Sequence, residues 1–327
     1  MRIVLCYPVE EKHVAQIRAA APGHEIVSAG QERIATELVE ADIFCGHAKV
    51  PVPWPEVVRR GRLRWIQSSA AGLDHCLTPE VVASPIVVSG ASGLFANQVA
   101  EQTLALLLGL LRGLPTFFRA QQQREFIRRP TGDLHGQTVG IVGLGGNGRR
   151  LAEVLSAFHT RMLATDLFPI DKPACVESLW PADRLDDLLP QCDTVILCVP
   201  LTTQTRRFFA APQFAKMKPG ATFINVARGE CVVERDLVVA LASGHLAGAG
   251  VDVAEVEPLP VDSPLWEMPN VIITPHVGAQ SRRRVDDTTD LICENLRRYF
   301  AGELLLHVVD KQLGFAPPDA LRQAATT

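Results

Sequence analysis

Residues 138–150, "TVGIVGLGGNGRR", constrain this chain more than any other stretch. A short apolar run gives way to the spacing Gly143-x-Gly145-x-x-Gly148 and then to "RRLAEVLSAF", whose apolar positions recur at helical spacing. A strand, a glycine turn and a helix in that order build a cradle for a dinucleotide pyrophosphate. The first glycine makes the tight turn, the second lets backbone approach the anion, and the third lets helix and strand pack closely. Gly146 and Asn147 stand at the helix start, where amides and dipole favour negative charge. Asp166 ends the next apolar run, 18 residues after Gly148, where a carboxylate accepts hydrogen bonds from an adenosine ribose. A 2′-phosphate would meet that negative charge, so NAD is expected over NADP. Arg149 and Arg150 read as surface residues of the helix.

The cradle begins more than a third of the way along a chain of 327 residues, a length that suits two cores better than one. Before it, strand-like runs at 2–6, 25–29, 42–46, 64–68 and 85–90 alternate with helical or loop segments, as in a small doubly wound sheet. The stretch 97–114, "NQVAEQTLALLLGLLRGL", reads as a helix apolar on nearly every side, and such a helix is normally buried. After Gly136 six more strands are expected, at 138–142, 161–166, 194–199, 221–226, 246–253 and 271–275, enough for a full Rossmann sheet. A helix at about 280–300 and a fraying tail, 317–327, add no strand, and their simplest packing returns them to the first lobe. The expected architecture is therefore α/β with two doubly wound lobes. A Rossmann nucleotide-binding lobe, 98–280, is inserted in a discontinuous substrate lobe made of 1–97 and 281–327.

Composition narrows the partners. Hydrophobic residues make up 47%, charged residues 21%, and the formal net charge is −4, which offers no general attraction to nucleic acid or an anionic membrane. Basic clusters are short and read as solvated helix faces. None of the eight cysteines forms a C-x-x-C pair, so neither zinc nor a redox dithiol is expected, and several lie in apolar runs. "MRIVLC" is a strand rather than a signal peptide, and no apolar run reaches a membrane-spanning length. A cytoplasmic, soluble protein is expected.

Three segments leave one ionisable residue beside the end of an apolar strand: Arg228 in "INVARGE", Glu257 in "GAGVDVAEVEPLP" and His276 in "ITPHVGAQS". Hydride transfer to a ketone needs a proton donor for the developing alkoxide, and histidine suits that near neutral pH. A carboxylate bonded to the imidazole would orient it and favour its protonated form. An arginine fork can hold a substrate carboxylate. Glu255 competes with Glu257 for the carboxylate role, and the position directly before Pro258 favours Glu257.

These segments, with "LHGQTVGIVGLGGNG", "CVPLTTQTRRFF" and "FAKMKPGATFINVARGE", make the chain resemble the D-isomer-specific 2-hydroxyacid dehydrogenase family along nearly its whole length. The resemblance implies that Arg228, Glu257 and His276 form the catalytic set. It implies that Asp252 contacts the nicotinamide side of the cofactor and that Val199 and Pro200 border the adenosine. Thr205, Ala227 and Gly278 fall on the cofactor side by the same matching. "SSAAGLDH", 68–75, resembles the family's substrate loop, in which amides near Ala71, Gly72 and Leu73 would bind the substrate carboxylate as an anion nest. Two lobes that close on the substrate and a homodimer through the nucleotide lobe, with 114–126 as an arm, are implied too.

Departures from the family pattern lie at Gly146 and Asn147, where a larger or basic residue and an aliphatic one are common, and in 128–136, which lacks a tryptophan. Glu257 stands where formate dehydrogenases carry glutamine, which argues against formate chemistry. Phosphoglycerate dehydrogenases often have a regulatory domain for which no room is expected here, although shorter forms exist. Small 2-keto acids such as glyoxylate or hydroxypyruvate are the expected substrates. The alternatives are phosphite or phosphoglycerate oxidation within the family, or an NADH-dependent binding protein of the corepressor type.

Overall fold

The computed structural model describes residues 1–318, so most of the tail expected to fray, 319–327, lies outside the described residues. The chain divides into two compact units: Met1–Phe95 with the segment from Ser281 onward, and Ala96–Gln280.

In the first unit, short apolar runs form β1 (Arg2–Cys6), β2 (Glu25–Ser28), β3 (Ile43–Gly46), β4 (Trp65–Ser68) and β5 (Val87–Ser89). They pair in parallel in the order β2-β1-β3-β4-β5, the flavodoxin-like arrangement. Side chains alternate across the sheet. Val4, Phe44 and Ile66 enter one core with Trp54 and Leu38, while Ile3, Leu5, Ile43 and Trp65 enter the other. That second face is covered by Ile292, Cys293 and Leu296 of the helix Arg284–Ala301.

A polar staple ties this helix to the helix Glu11–Ala20. The buried His13 accepts from the Glu10 amide at Nδ1 (2.9 Å), and its Nε2 donates to Asp286 Oδ1 (2.8 Å). The bond from His13, with the ammonium of Lys12, holds the Asp286 carboxyl down at about 2.

The second unit contains β6 (Thr138–Val142), β7 (Arg161–Asp166), β8 (Val176–Pro181), β9 (Thr194–Leu197), β10 (Ala221–Asn225), β11 (Leu246–Val251) and β12 (Val271–Ile273). All seven are parallel, in the order β12-β11-β10-β9-β6-β7-β8. The sheet has one strand more than the sequence reading gave. The extra strand, β8, is an edge strand that buries little beyond Val176 and ends on Pro181, so it carries no apolar signature.

The apolar stretch expected as a helix over 97–114 forms one that ends earlier, and a second helix follows it. The first, Ala96–Leu111, stops before Gly113, whose φ of 69° is left-handed, and Pro115 opens the second, Leu114–Gln122. No single helix among the described residues is long and apolar enough to cross a membrane.

Because every strand of this sheet runs the same way, the loops after β6, β7, β9, β10, β11 and β12 gather at one edge. Strand order reverses between β6 and β9, and such a switch point opens a crevice at the carboxyl ends of the strands.

Candidate active site

Gly143 leaves β6 with a φ of 97°, and its amide donates to the Thr165 carbonyl of β7 (2.8 Å). Gly145 caps the helix Gly146–Ser156, whose first internal bond runs from the Arg149 amide to the Gly145 carbonyl (2.9 Å). The amides of Gly146, Asn147 and Gly148 precede that bond, so the helix geometry leaves them for an anion. A Cβ at Gly148 would come 2.2 Å from the Gly143 carbonyl oxygen, so only glycine allows this helix to approach the turn. In front of Gly145, by contrast, a Cβ would meet nothing within 4 Å. Closed behind and open in front, these residues fit a dinucleotide pyrophosphate.

Asp166, at the end of β7, accepts from the Leu144 amide (2.7 Å) and the Phe168 amide (2.8 Å). Its carboxylate therefore stands beside the glycine turn. Arg149 donates to the Leu144 carbonyl (3.1 Å), and Arg150 turns to Asn97 (2.6 Å) and Glu153 (2.9 Å). Beyond β9, Val199 and Pro200 are partly buried, and the Thr205 hydroxyl donates to the Pro200 carbonyl (2.6 Å) while accepting from the Thr202 amide (2.7 Å). Thr205 thus closes the turn that carries them.

Beyond β10, Asn225 clamps the next turn, accepting from the Ala227 amide (3.1 Å) and donating to the Arg228 carbonyl (3.2 Å). The Ala227 side chain lies in the core, so it faces the site only through its backbone, and its carbonyl accepts from Arg228 Nη1 (2.7 Å). A Cβ at Gly229 would come 1.8 Å from the Ala254 carbonyl oxygen. The arginine loop therefore lies against the loop that carries Glu257.

Glu257 and His276 meet. Nδ1 of His276 is 2.9 Å from Glu257 Oε2, and Glu257 Oε1 accepts from the Ala254 amide (3.2 Å). Partial burial pushes the Glu257 carboxyl up, but the bond and charge of His276, the Ala254 amide and the positive charge of Arg228 outweigh it. The net effect holds the carboxyl below its ordinary range, so Glu257 is an acceptor and Nδ1 carries the proton. Arg228, Glu257 and His276 are thus electrically coupled at one edge of the sheet.

Asp252 is buried, and it acts as a bracket for the histidine loop. Its Oδ1 accepts from the Thr274 hydroxyl (2.6 Å) and the Val277 amide (3.0 Å), and its Oδ2 accepts from the Gly278 amide (2.8 Å). Its backbone carbonyl accepts from the His276 amide (2.7 Å), which holds His276 at a left-handed φ of 53°. Gln102, on the helix Ala96–Leu111, extends the chain by donating to the Thr274 hydroxyl (2.9 Å). Motif reading did not single out Thr274 or Gln102, whose roles depend on tertiary pairing.

The rival carboxylate, Glu255, has another job. It pairs with Arg207 and accepts from the Glu234 amide (2.9 Å), while its own amide donates to Glu234 Oε2 (3.3 Å). Arg207 sits at a left-handed φ of 55°, and its amide donates to the Glu230 carbonyl (2.7 Å). This network braces three loops behind Glu257.

In the first unit, the loop 68–75 is pinned at both ends. The Ala70 amide donates to the Ser68 hydroxyl (3.1 Å), the Ala91 amide donates to the Ala70 carbonyl (3.0 Å), and the Cys76 amide donates to the Leu73 carbonyl (3.0 Å). Ala71 and Gly72 lie between the pins beside the buried Leu73, and the His75 ring stacks on His47 at 3.8 Å.

Known proteins place the chain in one family. The profile of the "D-isomer specific 2-hydroxyacid dehydrogenase, NAD binding domain" matches residues 104–278. A glyoxylate reductase of Thermofilum pendens is 34% identical over 262 residues, 77% of this chain and 76% of that protein. A D-isomer specific 2-hydroxyacid dehydrogenase of Xanthobacter autotrophicus Py2, solved with NADPH and MES, is 31% identical with a TM-score of 0.82, covering 96% of this chain and 99% of that one. The NADPH-dependent glyoxylate/hydroxypyruvate reductase of Sinorhizobium meliloti, solved with NADP and sulfate, is 29% identical with a TM-score of 0.81 over 96% of this chain and 99% of that one. Profile, identity and shared fold together establish that this chain belongs to the D-isomer specific 2-hydroxyacid dehydrogenase family.

Proposed function

We propose that the protein interconverts a small 2-keto acid and its D-2-hydroxy acid, of the glyoxylate or hydroxypyruvate type, with NAD(H) as cofactor. The observation that carries this reading is the His276–Glu257 pair, coupled to Arg228, at the same sheet edge as a glycine cradle that fits a pyrophosphate. A bound nicotinamide supplies or accepts the hydride. The amides of Gly146, Asn147 and Gly148 hold the pyrophosphate, Asp166 the ribose, and the stretch from Val199 to Thr205 the adenosine. His276 Nε2 gives a proton to the substrate oxygen in reduction and removes it in oxidation. Glu257 keeps Nδ1 protonated and the ring in place, a division of labour between acid and orienter that contributes about 10²–10⁴-fold in related chemistry. The Arg228 guanidinium and the amides at Ala71, Gly72 and Leu73 bind the substrate carboxylate.

The negative charge of Asp166 supports NAD over NADP, although the two solved relatives above carry NADPH or NADP. Relatives named for glyoxylate and hydroxypyruvate support a small substrate. A homodimer through the second unit is supported by Phe118 and Phe126, 57% and 94% exposed in and after the helix Leu114–Gln122. Eight free thiols suit a reducing cytoplasm.

Steady-state rates with NADH and NADPH across glyoxylate, hydroxypyruvate, pyruvate and bulkier keto acids test the proposal. Turnover of the two smallest acids with NADH is the expected result; tight NADH binding without turnover of any acid would replace the enzyme with a binding protein.

A further inference from the structure

The rim of the adenosine site contains a cation that is already engaged. Asp166 and Arg149 grip opposite ends of Leu144: Asp166 Oδ2 accepts from its amide (2.7 Å) and Arg149 Nε donates to its carbonyl (3.1 Å). The guanidinium therefore lies on the same rim as the carboxylate that reads the ribose. In dinucleotide folds, an arginine at this rim is what accommodates a 2′-phosphate. Here its two remaining nitrogens both turn to Asp171, with Nη2 donating to the main-chain carbonyl (2.6 Å) and Nη1 standing 3.3 Å from Oδ2.

The neighbouring cations point elsewhere. Lys172 bonds the carbonyl of Val176, the first residue of β8, which lies toward the opposite edge of the parallel sheet. Arg150 is held by Asn97 and Glu153. A 2′-phosphate would thus face Asp166, Asp171 and one guanidinium whose charge is matched, a net negative field.

We infer that Asp171 is a specificity-determining residue for the cofactor: by holding Arg149 it keeps the guanidinium from the 2′-phosphate of NADP. The inference rests on the reading of the glycine cradle as a dinucleotide site. The latch is weak by construction. Both partners are partly solvated, with side chains 37% and 57% exposed, and exposed pairs of this kind contribute little. One charge change is therefore enough to free Nη1, which can then donate to a phosphate while Nε and Nη2 keep their main-chain carbonyls. The Arg149 bond to the Asp171 main chain survives a side-chain substitution, so the loop keeps its anchor.

The test is calorimetric binding of NAD and NADP to wild type, D171N and D171N/R149Q, with no substrate present. D171N is expected to tighten NADP on the order of fivefold while leaving NAD within about twofold. The gain should vanish in D171N/R149Q and should shrink as salt is raised. An unchanged NADP:NAD ratio in D171N, or a gain that survives loss of Arg149, overturns the inference and leaves the dehydrogenase reading standing. Wild-type protein that binds neither dinucleotide overturns both.

Discussion

His276 Nδ1 and Glu257 Oε2 lie 2.9 Å apart although 19 residues separate them in sequence. Each follows a different strand, β11 or β12, and these strands are neighbours in the sheet. The left-handed backbone at His276 costs about 1–2 kcal/mol, and the bond from its amide to the Asp252 carbonyl helps to hold it there. Strained backbone of this kind clusters at active sites, and here it falls on the imidazole that faces the Glu257 carboxyl.

Replacing His276 with alanine should lower kcat by about 10²–10⁴-fold while leaving NADH affinity nearly unchanged, because the glycine cradle is untouched. Rapid-quench turnover and fluorescence titration of NADH read the two effects separately. Equal loss of both would remove His276 from the proton-transfer role.

Glu257→Gln keeps the shape of the side chain and removes its charge. The folded protein holds this carboxyl below its ordinary range, so the charge is present across neutral and alkaline pH and is lost only in acid. The substitution should therefore cost most at neutral and alkaline pH, where wild type has the carboxylate facing the imidazole, and least in acid, where wild type loses that charge too. The pH profile of kcat/KM for keto-acid reduction checks this; a uniform drop at every pH would contradict it.

Thr274→Val removes the hydroxyl that joins Gln102 to Asp252. A buried carboxylate then loses one donor, a loss of about 1–3 kcal/mol. Urea unfolding should register the loss, and kcat should fall more than KM rises because the loop being loosened carries His276. A stability loss with unchanged kcat would show that the bracket serves the fold alone.

Much of this was legible in the sequence. The buried strands announced themselves as short apolar runs, and the glycine spacing marked the turn after β6. Glu257 was separable from Glu255 by its place before Pro258, and the structure turns the two carboxylates to different partners. What stayed hidden depends on neighbours brought in from afar. β8 is an edge strand with little to bury, and the bonds by which Asp252 holds residues 274–278 depend on tertiary pairing that no motif spells out. Arg207 reads with Arg206 as a short basic cluster on a solvated helix face, whereas it lies outside any helix with a left-handed backbone and pairs with Glu255, which no sequence pattern announces.

Asp286→Asn tests the staple between the helices Glu11–Ala20 and Arg284–Ala301. A carboxyl whose folded pKa lies below its unfolded value stabilises the fold above the unfolded value and loses that contribution as the pH falls through the folded one, here about 2. Wild type should therefore outlast the variant in urea at neutral pH, and the gap should close as acid protonates Asp286. A gap independent of pH would mean that packing, not charge, joins the two helices.

The second unit runs unbroken from Ala96 to Gln280, whereas the first needs the helix Arg284–Ala301 to cover the face formed by Ile3, Leu5 and Trp65. During translation the younger, seven-stranded unit thus leaves the ribosome whole while the older one still shows bare aromatic and aliphatic surface. Biogenesis passes through an interval in which β1 to β5 must wait for the helix Arg284–Ala301, and chaperone demand should peak there.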